Sequence, residues 1–216
     1  MQKYIRARSD EQKEERMTQI KNTADSLFKA MPYTDITLST IAEKLGWSRA
    51  NLYKYVTTKE EIFLGIEQDR MSEYFSSMLA AFPKNCHLSS ETVAEIWTAQ
   101  VQSHEDFFRY LAFLLTIIER NVTVERLTTF KKTYYNFANE LKVRLSFALE
   151  ISEEKAIALI GSVQNFAASY FSSCLENPLI IEALKNLNIT PQERNLSIEV
   201  KDFILMNISW LKQTKN

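Results

Sequence analysis

The segment from Ile36 to Lys59 constrains this chain more than any other part of it. Leu38, Ile41, Ala42 and Leu45 fall at the i, i+3, i+4, i+7 spacing of one apolar helical face, about two turns long. Thr37 stands just before that face, where a side-chain oxygen can satisfy an orphan N–H of a helix start. Gly46 follows the last apolar position, where a helix ends most cheaply in left-handed backbone. Ser48 is placed to cap a second run, Arg49 to Val56, with Leu52 and Val56 on its inward side. Arg49, Asn51, Tyr53, Lys54 and Tyr55 occupy the other side. Helix, glycine turn and a second helix with a polar outer face make a helix-turn-helix, whose second helix is the one expected to enter a major groove.

Such a pair needs a third helix to bury its inner face. Ser9 followed by Gln12 is a capping-box pattern and predicts a first helix from Asp10 to about Ala30, stopped by Pro32. Its apolar stripe is Met17, Ile20, Ala24, Leu27, Phe28 and Met31. Residues 1–9 carry Lys3, Arg6 and Arg8 without an apolar period; they read either as a tail or as a basic arm along phosphates or a minor groove. A second capping box, Thr58 to Glu61, opens a long helix through Ala81 that Pro83 ends. Only three Gly and four Pro punctuate 216 residues, too few for the hairpins of a sheet protein. The remainder therefore reads as helices near 90–103, 105–120, 123–149, 153–175, 179–187 and 195–213, with breaks at Asn177-Pro178 and Thr190-Pro191. The expected fold class is all-α, with an N-terminal helix-turn-helix domain over 1–59 and a helical bundle over 60–216 joined by the long fourth helix.

Two stretches, Thr37-Leu-Ser-Thr-Ile-Ala-Glu-Lys-Leu-Gly-Trp-Ser and Leu52-Tyr-Lys-Tyr-Val-Thr-Thr-Lys-Glu-Glu, resemble the N-terminal domain of the TetR family of transcriptional regulators. The likeness spans the turn, the recognition helix and the start of the next helix. Trp47 stands where the family has a smaller apolar residue, and Val56 where it usually has Phe. The resemblance implies operator DNA as a partner, a small-molecule effector bound in the C-terminal half, and a homodimer formed by two late helices, here about 153–175 and 195–213. It also implies that Tyr53, Tyr55 and Lys59 contact the DNA backbone, whereas Arg49 to Asn51, with Ala50 between them, vary with operator sequence.

The residues themselves support a DNA-reading chemistry. Thr37 and Ser39 at the start of one helix, and Ser48 at the start of the next, offer hydroxyls and helix-start N–H groups to phosphates. Arg49 can pair with a guanine edge and Asn51 with adenine, while Lys54 and Lys59 suit the backbone. Residues 1–59 carry a net charge of +4 and residues 60–216 one of −5, which places a basic region over the motif.

In the C-terminal half, Trp97, Phe108, Tyr134, Phe137, Phe166 and Tyr170 recur on successive helices. Each is a core-type residue and also a candidate for lining a pocket, which would favour an apolar or aromatic effector. The helices near 153–175 and 195–213 carry apolar residues on more than one side, as a dimer interface requires.

Other function classes find no support. There is no G-x-S-x-G, G-x-G-x-x-G, phosphate loop or H-E-x-x-H, so no enzyme and no cofactor is expected. Cys86 and Cys174 lack paired spacing, and with His87 and His104 they make no metal motif; free thiols in a reducing compartment are expected. The longest apolar run, Phe107 to Ile118, contains Arg109 and is too short for a bilayer, and the N-terminus lacks a signal-peptide core. The expectation is a cytoplasmic, homodimeric repressor released by its effector. An activator on the same scaffold, or a protein-binding module with a vestigial helix-turn-helix, are the alternatives.

Overall fold

A computed structural model describes the backbone of residues 2–173, 178–190 and 193–214, and the side chains of residues 11–172, 179–190 and 193–214. Cys174, Asn177 and Pro191 lie outside the described residues, as do the side chains of Lys3, Arg6 and Arg8. Every regular element among the described residues is helical: α1 (Gln2–Ala30), α2 (Leu38–Leu45), α3 (Arg49–Leu52), α4 (Lys59–Ala81), α5 (Ser90–Ser103), α6 (Glu105–Thr116), α7 (Val124–Leu149), α8 (Glu153–Ser173), α9 (Pro178–Asn186) and α10 (Leu196–Gln213). Short 3-10 turns cover Tyr33–Asp35 and Ile118–Arg120.

Three boundaries differ from the sequence reading. The first helix begins at Gln2 rather than Asp10, so Ser9 lies inside it instead of capping it. Gln, Lys, Arg and Ala are all good helix formers, and nothing between residues 2 and 9 interrupts the run. The second helix of the motif is regular only over Arg49–Leu52; beyond it Lys54 and Tyr55 bond back three residues, to Asn51 and Leu52, and the last turn tightens. The segment 105–120 divides into α6 and the 3-10 turn at Ile118.

The chain forms two compact units. One comprises Met1–Asp69 with Leu114–Phe130, the other Arg70–Phe113 with Lys131–Asn216. The division thus falls inside α4, ten residues after Lys59, and the first unit includes the first turns of α7.

In the first unit α1 turns Ile20, Ala24 and Leu27 inward at i, i+4, i+7, and α2 adds Ile41 and Ala42. Leu52, Val56, Ile62, Phe63 and Ile66 complete this core. Phe63 meets the rings of Tyr33 and Phe28, at 5.1 and 5.7 Å between centroids. In the second unit the buried faces are Tyr74, Phe75 and Met78 of α4, Val93, Trp97 and Val101 of α5, and Phe107, Phe108 and Tyr110 of α6. Leu141 and Leu145 of α7, Leu159, Val163 and Ala167 of α8, and Val200, Ile204 and Ile208 of α10 close it. Helix α10 packs on α5 and α8. Arg144 of α7 donates to the carbonyls of Leu79 and Phe82, so a side chain satisfies acceptors at the C-terminal end of α4 before Pro83.

Candidate nucleic-acid interface

The turn of the candidate interface is held by caps at both ends. Thr37 and Thr40 form a reciprocal capping box at the start of α2: Thr40 N–H donates to Thr37 Oγ1 at 3.1 Å, and Thr37 N–H to Thr40 Oγ1 at 2.9 Å. Gly46 closes α2 in left-handed backbone, φ +67°, with its N–H directed at the Ala42 and Glu43 carbonyls. Ser48 then caps α3 by accepting from Asn51 N–H at 3.2 Å. Leu52 and Val56 point inward, 1 % and 3 % exposed.

Thr37, Ser48, Arg49, Ala50, Tyr53 and Lys54 are exposed, while Ser39, Asn51 and Tyr55 are half-buried. Tyr53 is the telling case, because a large aromatic residue remains 55 % exposed, next in sequence to Lys54 and four residues after Arg49. Tyr55 behaves otherwise: its ring lies 5.8 Å from that of Trp47, and the Arg16 guanidinium sits 5.3 Å over the Trp47 ring.

Lys59 is engaged inside the unit. Its ammonium donates to the carbonyls of Tyr33 and Ile36 at 2.8 and 2.7 Å and lies 4.0 Å over the Tyr33 ring. Burial lowers its pKa, against the opposing pull of Glu60 and Asp35. The Tyr33 hydroxyl donates to Glu60 Oε1 at 2.9 Å, fixing the 3-10 turn to the first turn of α4. Thr58 caps Glu61 N–H at 3.2 Å, and the Glu61 carboxylate reaches back to Thr57 N–H at 3.0 Å, one residue before the expected partner.

The six aromatic residues of the second unit divide. Trp97 donates its indole N–H to the Tyr74 hydroxyl at 2.9 Å. Tyr74 also packs edge-on to Phe108, which stacks on Phe171, itself edge-on to Tyr170. Phe75 meets both Tyr134 and Phe137. Five of the six thus join one ring network through Tyr74, Phe75 and Phe171. Phe166 is apart from it, stacked on Phe203 of α10 at 4.1 Å.

Residues 68–214 match the family model of the tetracycline-repressor-like C-terminal domain. The chain belongs to the TetR family. It is thus a transcriptional regulator by family, and members of that family are transcription factors rather than enzymes. No curated protein matches the sequence closely. Among solved structures, a TetR/AcrR-family transcriptional regulator from Thermobifida fusca superposes with a TM-score of 0.55 at 19 % identity, covering 94 % of this chain and 100 % of that one. The fatty acid degradation regulator FadR from Bacillus halodurans gives 0.56 at 16 %, covering 89 % and 94 %. AlkX from Dietzia, a TetR-family repressor implicated in n-alkane biodegradation, gives 0.50 at 11 %, covering 92 % and 96 %. These similarities establish the fold.

Sequence reasoning missed three features of this TetR-family chain. Thr40 as the reciprocal cap could have been read from its position three residues after Thr37. The Arg16–Trp47–Tyr55 column could not, because it needs α1 beside the turn. Gln164, only 4 % exposed on α8, accepts from the Tyr134 hydroxyl at 2.9 Å, while its Nε2 has no hydrogen-bond partner among the described residues. Among those residues no three His, Cys, Asp or Glu side chains gather, and no helix is long and apolar enough to cross a membrane.

Proposed function

We propose that this TetR-family regulator is a homodimeric repressor that binds operator DNA through α3 and its following turn and lets go when an effector enters the second unit. The observation that carries the reading is the outer face of the motif. Arg49, Tyr53 and Lys54 stand in solvent on a Ser48-capped helix whose Leu52 and Val56 are buried. Arg49 and Asn51 read base edges; Tyr53, Lys54 and the helix starts at Thr37, Ser39 and Ser48 hold phosphates. Ala50 leaves room for close approach of the groove. Tyr55 and Lys59 set the angle of the recognition segment, since their contacts lie within the unit.

Dimerisation is proposed through α8 and α10. Ala158, Asn165, Ser169 and Ser172, small or polar, are exposed on the outer side of α8, and Met206 and Trp210 of α10 are each 62 % exposed. A two-fold axis through these helices would present two recognition segments to a pseudo-palindromic site. The effector site is proposed among the rings of Trp97, Phe108, Tyr134, Phe137 and Tyr170, with Phe166 toward the dimer face. Helices α4, α6 and α7 run from one unit into the other and give a covalent route for the response. The protein acts in the cytoplasm, where its DNA is.

A footprint on DNA flanking the gene, with wild type and a Tyr53→Ala/Lys54→Ala variant at two salt concentrations, tests the reading. The expected result is a two-fold-symmetric protected site, weakened by salt and lost in the variant. Sedimentation showing only monomer at micromolar concentration would sink the dimer.

A further inference from the structure

We infer that the cleft between α1 and the end of the recognition segment is a second phosphate-binding site for duplex DNA, built by Lys13 and Arg16 of α1 together with Lys54. The inference rests on the DNA-binding reading above and extends the interface to a helix outside the motif.

The cleft has a volume of 500 Å³ and is lined by Gln12, Lys13, Glu15, Arg16, Lys54 and Tyr55. Three cations line the cleft with a single carboxylate, Glu15, which leaves the site electropositive although Glu11 and Glu14 neighbour it in sequence. Isolated surface lysines are usually only solvated. Here one wall is ordered. The Arg16 guanidinium lies over the Trp47 ring and donates to Gln19 Oε1 at 2.9 Å, and Trp47 packs on Tyr55, which forms the opposite wall. A guanidinium already held over an indole and by Gln19 gives up less freedom when it meets a phosphate, and its planar fork suits two oxygens at once. Lys13 and Lys54, both exposed, add point charges from the two sides. Lys54 directly follows Tyr53, so the cleft continues the face that reads the groove. That continuity selects a DNA phosphodiester over a free anion as occupant. It also gives Trp47 a purpose: a smaller residue in the turn would leave Arg16 with no ring to lie on.

The test is the salt dependence of operator binding by the full chain, measured on the footprinted duplex between about 50 and 200 mM salt. Each phosphate contact contributes about 0.9 to the slope of log K against log salt, so Lys13→Gln and Arg16→Gln should each flatten it by about that amount. Across the range each variant should lose about threefold less affinity than wild type does. Its ranking of single-base operator variants should not change, because phosphate contacts carry no sequence information. Lys29→Gln, the same charge loss at the far end of α1, should leave the slope as in wild type. Lys13 is exposed, so Lys13→Gln should leave the fold intact and keeps the test open even if Arg16→Gln loosens the Trp47 column. Wild-type slopes in both variants would overturn the inference and leave the DNA reading standing. Wild type that binds no genomic fragment would overturn both. Competition by inorganic phosphate beyond that of chloride at equal ionic strength, with the slope unchanged by Lys13→Gln, would assign the cleft to a free anion and overturn the DNA site.

Discussion

Arg126 on the first turn of α7 meets the buried carboxylate of Glu61 at 3.1 Å, and the other Glu61 oxygen accepts from Thr57 N–H. Glu61 is 5 % exposed in its side chain and Arg126 49 %. A helix belonging mostly to the second unit thereby fastens its first turn to the turn that opens α4, inside the first unit. Arg126→Ala should leave a poorly solvated carboxylate and destabilise this unit by about 1 kcal/mol, less than a fully buried pair because Arg126 is half in water. Urea unfolding of wild type, Arg126→Ala, Glu61→Gln and the double variant measures the coupling. Strictly additive losses would show that the pair contributes nothing of its own.

Gly46 offers a cleaner backbone test. A Cβ there meets no atom within 4 Å, so any cost of substitution comes from φ +67° alone. Gly46→Ala should cost about 1 kcal/mol, and Gly46→Asn distinctly less, since Asn tolerates left-handed backbone. Thermal unfolding of the two variants decides it. Equal losses would mean that handedness is not what holds the turn.

Local chemistry is what made the first unit readable. Thr37, Gly46 and Ser48 act within four residues of themselves, and a spacing rule finds such contacts without a fold. The helix start was misplaced for the same reason: Ser9 and Gln12 satisfy a capping rule, but the run from Gln2 continues through them. Lys59 shows the limit on the functional side. Nothing in its neighbours in sequence tells that its ammonium sits between the Tyr33 and Ile36 carbonyls, more than twenty residues away. In the second unit, helical periodicity located the aromatic residues. It could not tell that Phe166 stacks on α10 while Trp97 bonds to Tyr74, because that depends on which helices adjoin.

Two buried tyrosines and a half-buried one predict alkaline unfolding. Burial pushes Tyr74 and Tyr134 up; burial, then the Glu60 hydrogen bond, does so for Tyr33. An unfolded tyrosine ionises near pH ~10 while these keep their protons, so the stability they confer is intact below that pH and lost as pH rises further. Lys59, lowered by burial, works in the opposite direction just below pH ~10.4, one group against three. Unfolding free energies should therefore fall from about pH 10 upward, and more gently in Tyr74→Phe. That variant should also lose about 1–3 kcal/mol at neutral pH, because the Trp97 N–H would be left buried without its acceptor. A profile flat through about pH 11 would refute the account.

Gln164 poses the opposite question, a polar group whose removal should not hurt. Its Oε1 is held by the Tyr134 hydroxyl, so its amide orientation is set, yet Nε2 finds no acceptor among the described residues. A buried donor in that state costs about 1–3 kcal/mol, and a leucine of similar volume removes the cost. Against this, Gln164→Leu deprives the Tyr134 hydroxyl of its acceptor, but Tyr134 is only half-buried and can turn to water. The variant should melt at or above the wild-type temperature. If the amide is kept for a hydrogen-bond acceptor on the effector, the same variant should bind operator normally and need more effector to release it. A clear fall in melting temperature would make Gln164 a structural residue, and an unchanged release curve would remove it from the effector site.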